Sequence, residues 1–485
     1  MEVESRVTSD VSSIGGWMDQ FFRAYYARRP VNATFIGVHD WDHLLPDFSD
    51  NGAGDAVAEM EGLLRAAQGI EGTPVSPIER LDQRLAEGFL RIQVWEYPSR
   101  HFHLGNPSLY TGEAVFGIMS LFLTDFAPFE ERVEAATERL EAVPGFLAQG
   151  RRNVRQAPVR WTQRAMRECR GALAFLEKGI DTLLAPPSED GTSPRADDQV
   201  AATALRGAAQ RAAKGFRDFH HYLESELQRA GSEAYACGEE ALSLYLRDGH
   251  FLDMDADEIV AYAEAEMADA ESRLREGAGQ ALGTPAGQRA DVEEVLSGLA
   301  DLHPPAERYY ARYQDVWDSI RETAEAQSLL TWPDFPIRYV PRPVWAREAA
   351  AELYFLFYRS PPAFNRPPVH DYLVTPVDRS MSPEEQEKLL RATNDSVIKL
   401  NHVIHHGSIG HHVQNWHAFR SPSRIGQVAA VDCASRIAMF CGGTMAEGWA
   451  CYATDLMSEA GALSPLEQLA ELRGRTRMCA RAVVD

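Results

Sequence analysis

The sequence predicts a mainly α protein with one small antiparallel sheet near residues 329–377, and three observations carry that expectation. Apolar residues recur at spacings of three and four through most of the chain, the period of a helix with one buried face. Aromatic and β-branched runs are confined to one proline-rich stretch, where strands are favoured and long helices are not. Helix-start signals such as Ser382-Pro383-Glu384-Glu385 combine an N-cap, a proline at the first helical position and a capping glutamate.

In chain order, helical periodicity marks segments near 17–29, 56–69, 77–96, 130–148, 162–184, 197–230, 257–278 and 306–327. Residues 185–198, APPSEDGTSPRADD, read as a solvated loop joining an antiparallel helix pair. Between 329 and 377 the runs PIRYV, AELYFLFY and DYLVT supply the expected strands. From Ser382 a helix resumes, with Leu389, Val397, Leu400 and Ile404 as its buried stripe, and is expected to run directly into His405. The change of character near 329 divides the chain into a helical region, 1–328, and a motif-bearing region, 329–485, read as one continuous architecture.

With 485 residues, 45% hydrophobic and 25% charged, the chain can bury a large core. A net charge of -23, from 48 basic and 71 acidic residues, disfavours nucleic acid and anionic membrane surfaces as partners. The opening MEVESRVTSDVSS has no basic or apolar signal region. The longest apolar run, residues 115–123, is too short to span a bilayer. The cysteines at 169, 237, 433, 441, 451 and 479 form no CxxC pair and fit free thiols. A cytoplasmic protein acting on a small molecule or short peptide is the simplest expectation; oligomeric state is left open.

The segment HHGSIGHHVQNWH, 405–417, holds five of the 15 histidines. Imidazoles are common metal ligands, and a carboxylate from a second helix can complete an open site. His405 is six residues from His411 and seven from His412; on an unbroken helix seven residues rise roughly 10 Å, too far to share an ion. Gly407 and Gly410 allow the backbone to bulge or loop and close that distance. His402 and His406 form an alternative pair on a regular turn. His402 or His417 taken singly fits a hydrogen-bonded core or surface histidine equally well. Glu447, among apolar neighbours, reads as a buried carboxylate needing a charge partner, either a metal ion or an arginine such as Arg436.

These residues resemble a bacterial family known as domain of unknown function 885, a zincin-like group placed with the metallopeptidases. Its members carry His-Glu, a turn containing Pro-Gly, then His-His-Leu-Gln, and later Glu-Gly-Trp-Ala-Leu-Tyr-Ala-Glu. Here the first motif stands as His405, His406, Gly407, Ser408, Ile409, Gly410, His411, His412, Val413 and Gln414, and the second as Glu447, Gly448, Trp449, Ala450, Cys451, Tyr452, Ala453 and Thr454. PVNATFIGVHDWD from residue 30, the proline-rich segment and the closing RTRMCARAVVD extend the resemblance along the chain.

The resemblance implies a zincin-like helical enzyme whose cleft lies between the His405 and Glu447 helices, with His405, one of His411 or His412 (His411 favoured) and Glu447 as metal ligands. Zinc is the metal expected, with iron as the alternative. Three positions depart from the family pattern. His406 stands where a metallopeptidase places its general base, Ile409 replaces the proline, and Thr454 replaces the closing carboxylate. Family members also continue beyond the position of Asp485 through an Asp-x-Gly-x-His stretch. His406 is expected to act as base, proton shuttle or further ligand, and His412 and Tyr372 are further catalytic candidates, Tyr372 as an oxyanion donor. Arg477 and Arg481, able to clamp a carboxylate, and Tyr452 are candidate substrate contacts. Cys451, one turn beyond Glu447 and one before Asp455, is a soft-metal candidate or simply core packing.

The expectation is a metal-dependent enzyme acting on a small peptide or amide-like substrate. A second is a non-hydrolytic iron or zinc enzyme in specialised-metabolite tailoring by oxidation, elimination or cyclisation. A third is an inactive helical binding scaffold.

Overall fold

The computed structural model describes residues 13–70, 76–185, 199–283, 291–350, 352–353, 360–377, 381–433 and 437–485. Its helices start where local chemistry supplies partners for their first N–H groups. Capping boxes at Ser76/Glu79, Asp255/Glu258, Ser382/Glu385 and Ser464/Glu467 open four of them.

Among the described residues three apolar cores organise these helices: two that bear on the site, and a third that packs helix Pro465–Val484 against helices Ala256–Leu282 and Val292–Ala300. The larger of the first two joins residues between Ile14 and Leu227 with Ala346, Ala349, Ala350 and Leu353 and with residues between Phe419 and Met439. At its centre lies helix Pro107–Leu123, buried on nearly every side, which accounts for its apolar run. Among the described residues no helix is long and apolar enough to cross a membrane. The smaller core packs helix Tyr309–Ala326, the strands, residues 398–409 and Ala453–Leu463 around Tyr313 and Tyr372. A buried guanidinium, Arg139, donates to the carbonyls of Leu44 and Pro30 and to the Thr34 hydroxyl, which explains why the segment from Pro30 to Asp42 is wrapped around it. All six cysteines are free.

Two expectations need correction. The sheet is parallel, not antiparallel: β1, Ile337–Pro341, pairs with β2, His370–Val374, in the register Tyr339 with Tyr372. The segment joining them includes the helical turns Val344–Ala346 and Arg347–Ala350, the crossover that parallel pairing requires. Most of AELYFLFY, like residues 186–198 of the anticipated loop and Arg436, lies outside the described residues. Nor does the helix from Ser382 run unbroken to His405. It ends at Ala392, Asn394 caps a new start by accepting from the Val397 N–H, and residues Ile398–Gly407 form a π-helix.

Candidate metal centre

The π-helix Ile398–Gly407 is held on its apolar side by Ile398, Val403 and Ile404 in the smaller core. Its end carries His405 and His406. The chain then turns through Ser408–Gly410, with the Gly410 N–H donating to the Ile404 carbonyl at 2.9 Å, and re-enters helix His411–Ala418. The turn is tight enough to exclude side chains: a Cβ on Gly410 would fall inside the His405 carbonyl, and one on Gly407 inside the Tyr339 hydroxyl. Trp449 fixes it from the opposite helix, Phe440–Glu459, by donating its indole N–H to the Ile409 carbonyl at 2.7 Å.

This backbone brings His405, His406 and His411 together, with one ring nitrogen of each within 4.8 Å of the others. Glu447 reaches two of them, at 3.3 Å from His405 Nε2 and 3.5 Å from His411 Nε2. These distances are longer than charge-assisted hydrogen bonds of roughly 2.7–2.9 Å. They are close to the roughly 3.4 Å that separates two ligand atoms on one tetrahedral zinc. The donor set, imidazole and carboxylate, is also one that zinc or iron accepts, so the residues present fit such an ion.

His406 is oriented by its second nitrogen. Its Nδ1 lies 2.7 Å from the Asn401 carbonyl. Burial, reinforced by the neighbouring His405 and His411, pushes its pKa well below the ordinary imidazole value. The neutral ring therefore donates Nδ1–H to that carbonyl and directs the Nε2 lone pair away from it, the tautomer selection typical of ligating histidines. For Glu447, partial burial pulls upward, but the contacts from His405 and then His411 hold its carboxyl well below the usual range.

Glu447 corrects the expectation of a buried carboxylate, because its side chain is 61% exposed whereas those of His405 and His411 are 20% and 10% exposed. The cluster is enclosed on the histidine side and open on the glutamate side. Tyr452, 49% exposed and with its ring 6.0 Å from that of Trp449, stands on the same helix as Glu447. Cys451 is also exposed there, and Asp455 is taken up by an ion pair with Arg475.

The remaining candidates lie elsewhere. His412 is buried against Phe335 and His370; burial lowers its pKa to about 4, and its Nε2–H donates to the Phe335 carbonyl at 2.7 Å. Tyr372 is fully buried and its hydroxyl is shared with His402 Nδ1, so it backs the cluster instead of opening onto it. The alternative pair His402 and His406 is split in the same way. Arg477 and Arg481 are exposed on the closing helix Pro465–Val484, and neither makes a hydrogen bond or ion pair with the cluster. Sequence reasoning passed over Trp449, the Asn401 carbonyl and the Tyr372–His402 pair. Only Trp449 had a visible signal, its place two residues after Glu447.

A family model described as "Bacterial protein of unknown function (DUF885)" matches residues 30–485. No curated protein matches. Among solved structures, a candidate lipoprotein of unknown function from Shewanella oneidensis superimposes with a TM-score of 0.71 at 19% identity, over 97% of this chain and 82% of that one. A candidate lipoprotein from Colwellia psychrerythraea does so with a TM-score of 0.69 at 15% identity, over 97% and 83%. At such identities the likeness is one of fold.

Proposed function

The chain belongs to the bacterial DUF885 family of unknown function, and from that premise we propose that it is a metal-dependent, hydrolase-like enzyme of zincin type acting on a small peptide or amide-like substrate. The observation that carries the reading is the meeting of three imidazoles and Glu447 at one opening. His405, His411 and Glu447 hold the ion, for which zinc is the first choice. When bound, it supplies Lewis-acid polarisation of a carbonyl and acidification of water. His406, anchored through Nδ1 on Asn401, offers Nε2 to take and return a proton where a metallopeptidase uses a carboxylate. Tyr452 contributes an apolar ring with a polar tip to the substrate side. Free thiols throughout support a reducing, cytoplasmic setting, for which recovery in the soluble fraction of the native host is the expected result.

The test is elemental analysis of protein purified without a nickel column, beside His405→Ala and Glu447→Ala. About one zinc per chain, lost in both variants, is the expected outcome. No metal in any preparation, even after supplementation, would leave an inactive scaffold.

One observation favours a second reading. His406 lies inside the cluster, its ring centroid 4.7 Å from that of His405 and 5.3 Å from that of His411, so it can serve as a fourth ligand in a non-hydrolytic iron or zinc enzyme. Stoichiometric iron would support that alternative, as would a His406→Glu variant that gains peptidase activity while losing the native reaction.

A further inference from the structure

A second site lies around the helix from the histidine cluster. A cavity of about 620 Å³ is lined by Asp334, Phe335, Arg366, Trp416, Phe419 and Arg420, with the chain at Phe364 and Asn365 as one wall. Such a volume suits a small organic ligand. Trp416 follows His411 by five positions on helix His411–Ala418, which at about 100° per residue turns it well away from the face that carries His411, and Arg420 lies just past the end of that helix.

The cavity is built to hold two guanidinium groups in fixed planes. That of Arg366 lies 4.7 Å from the centre of the Phe419 ring, and that of Arg420 lies 4.0 Å from the Trp416 ring. Stacking of this kind leaves the N–H edges of arginine available for a planar acceptor. Arg420 donates to Asp334 at 2.6 Å and, through its other terminal nitrogen, to the Trp416 carbonyl at 3.2 Å, and Trp416 donates its indole N–H to the same Asp334 oxygen at 2.6 Å. Arg366 caps the Ala363 carbonyl, and among the described residues it pairs with no carboxylate. Two cations thus share one anion, so the cavity carries an excess of one positive charge in a chain whose net charge is -23.

Its far wall is also anchored. Phe364 donates its N–H to the Ile36 carbonyl at 3.0 Å. Its own carbonyl occupies the space that a Cβ on Gly37 would need, and Gly37 has φ +92. Asn365, at φ 52, turns the chain there in the left-handed region that asparagine tolerates better than most residues.

We infer that this cavity is a binding site for a monocarboxylate with an apolar or aromatic body, such as an N-acylated amino acid or the C-terminal residue of a peptide. The single uncompensated charge matches a carboxylate, and a phosphate dianion would overfill it. Planar N–H edges suit two parallel hydrogen bonds to its oxygens. Phe335 offers a ring against which the ligand body packs. Because Phe335 also receives the His412 hydrogen bond and stacks on that imidazole, the ligand would press on the residue adjoining His411.

Hippurate, an aromatic N-acyl glycine, and its uncharged amide are the probes, with binding to the full chain measured by calorimetry. Hippurate is expected to bind at least about tenfold more tightly than the amide, and Arg366→Gln is expected to remove that difference, since each lost charge-assisted hydrogen bond is of that size. Arg420→Gln should weaken hippurate similarly. His405→Ala and Glu447→Ala should leave its binding intact, which separates this site from the metal centre. Equal binding of acid and amide would overturn the assignment, as would hippurate binding indifferent to Arg366→Gln, loss in the metal-centre variants alone, inorganic phosphate binding more tightly than hippurate, or no binding of hippurate at all.

Discussion

His406 occupies the position where a change of chemistry is concentrated. Its Nδ1–H is committed to the Asn401 carbonyl, so substitution by glutamine removes the Nε2 lone pair while keeping a side chain that can reach the same carbonyl. If His406 is the base, His406→Gln keeps the full metal content and turnover falls by about 100-fold or more; elemental analysis beside steady-state kinetics reads both. Loss of metal in that variant would instead make it a ligand. A second titrating residue lies among aromatic residues of the larger core. His103 is 5% exposed, stacked on Phe48 and flanked by Tyr97 and Phe102, and burial, partly opposed by Asp50, lowers its pKa to about 4. The unfolded chain therefore takes up this proton first as pH falls. The contribution is fully present above about pH 6.5 and is lost on descending towards pH 4, on the order of 3 kcal/mol in all. His103→Phe should make the acid limb of a urea-stability profile shallower by that amount. His370, whose burial lowers its pKa to about 3, retains a slope of the same sign.

The turn between the π-helix and helix His411–Ala418 decides whether the two histidine motifs meet. Gly410→Ala would drive a methyl group into the His405 carbonyl, so the turn must open. The expected result is a loss of roughly 2 kcal/mol or more in stability, accompanied by loss of metal. Trp449→Phe keeps the ring shape but removes the donor to Ile409. There the expectation is a drop of about 10–100-fold in metal affinity with little change in Tm, as for other residues that orient ligands without touching the ion. The need for a backbone device was legible in the sequence, because six- and seven-residue spacings cannot serve one ion on a straight helix and the two glycines stood between. The π-helix itself was not. The stripe read from the sequence, Leu389, Val397, Leu400 and Ile404, fits a regular helix, whereas the structure buries Leu390, Ile398, Val403 and Ile404, and the wider turn packs on helix Tyr309–Ala326 and helix Phe440–Glu459. Strand direction was illegible for a similar reason. PIRYV and DYLVT read as strands in either sense, and the parallel choice rests on the helical crossover between them. Glu447 misled because its neighbours are apolar while its own side of the helix faces the opening.

Across the molecule, contacts from the first hundred residues reach the segment between the two metal motifs. The Tyr25 hydroxyl donates to the Ala438 carbonyl at 3.0 Å, and Asp82, 3% exposed, accepts from the Ser423 hydroxyl and from the N–H groups of Arg424 and Ile425. Asp82 thereby satisfies the open start of helix Arg424–Val428, whose first donors have no partners within the helix. No sequence pattern announces such a pairing, since its members lie more than 300 residues apart and neither has unusual neighbours. Asp82→Ala would strand the buried Ile425 N–H and Ser423 hydroxyl and the partly buried Arg424 N–H together, for an expected loss of roughly 2–4 kcal/mol. Because the same helix start is part of the larger core, that loss should move one cooperative transition. Far-UV circular dichroism, reporting helices throughout, and release of bound metal, reporting the centre alone, should shift to lower temperature together. Two separated transitions, with metal released at the wild-type temperature, would mean that the motif-bearing region from residue 329 onward holds its site independently of the helical region before it.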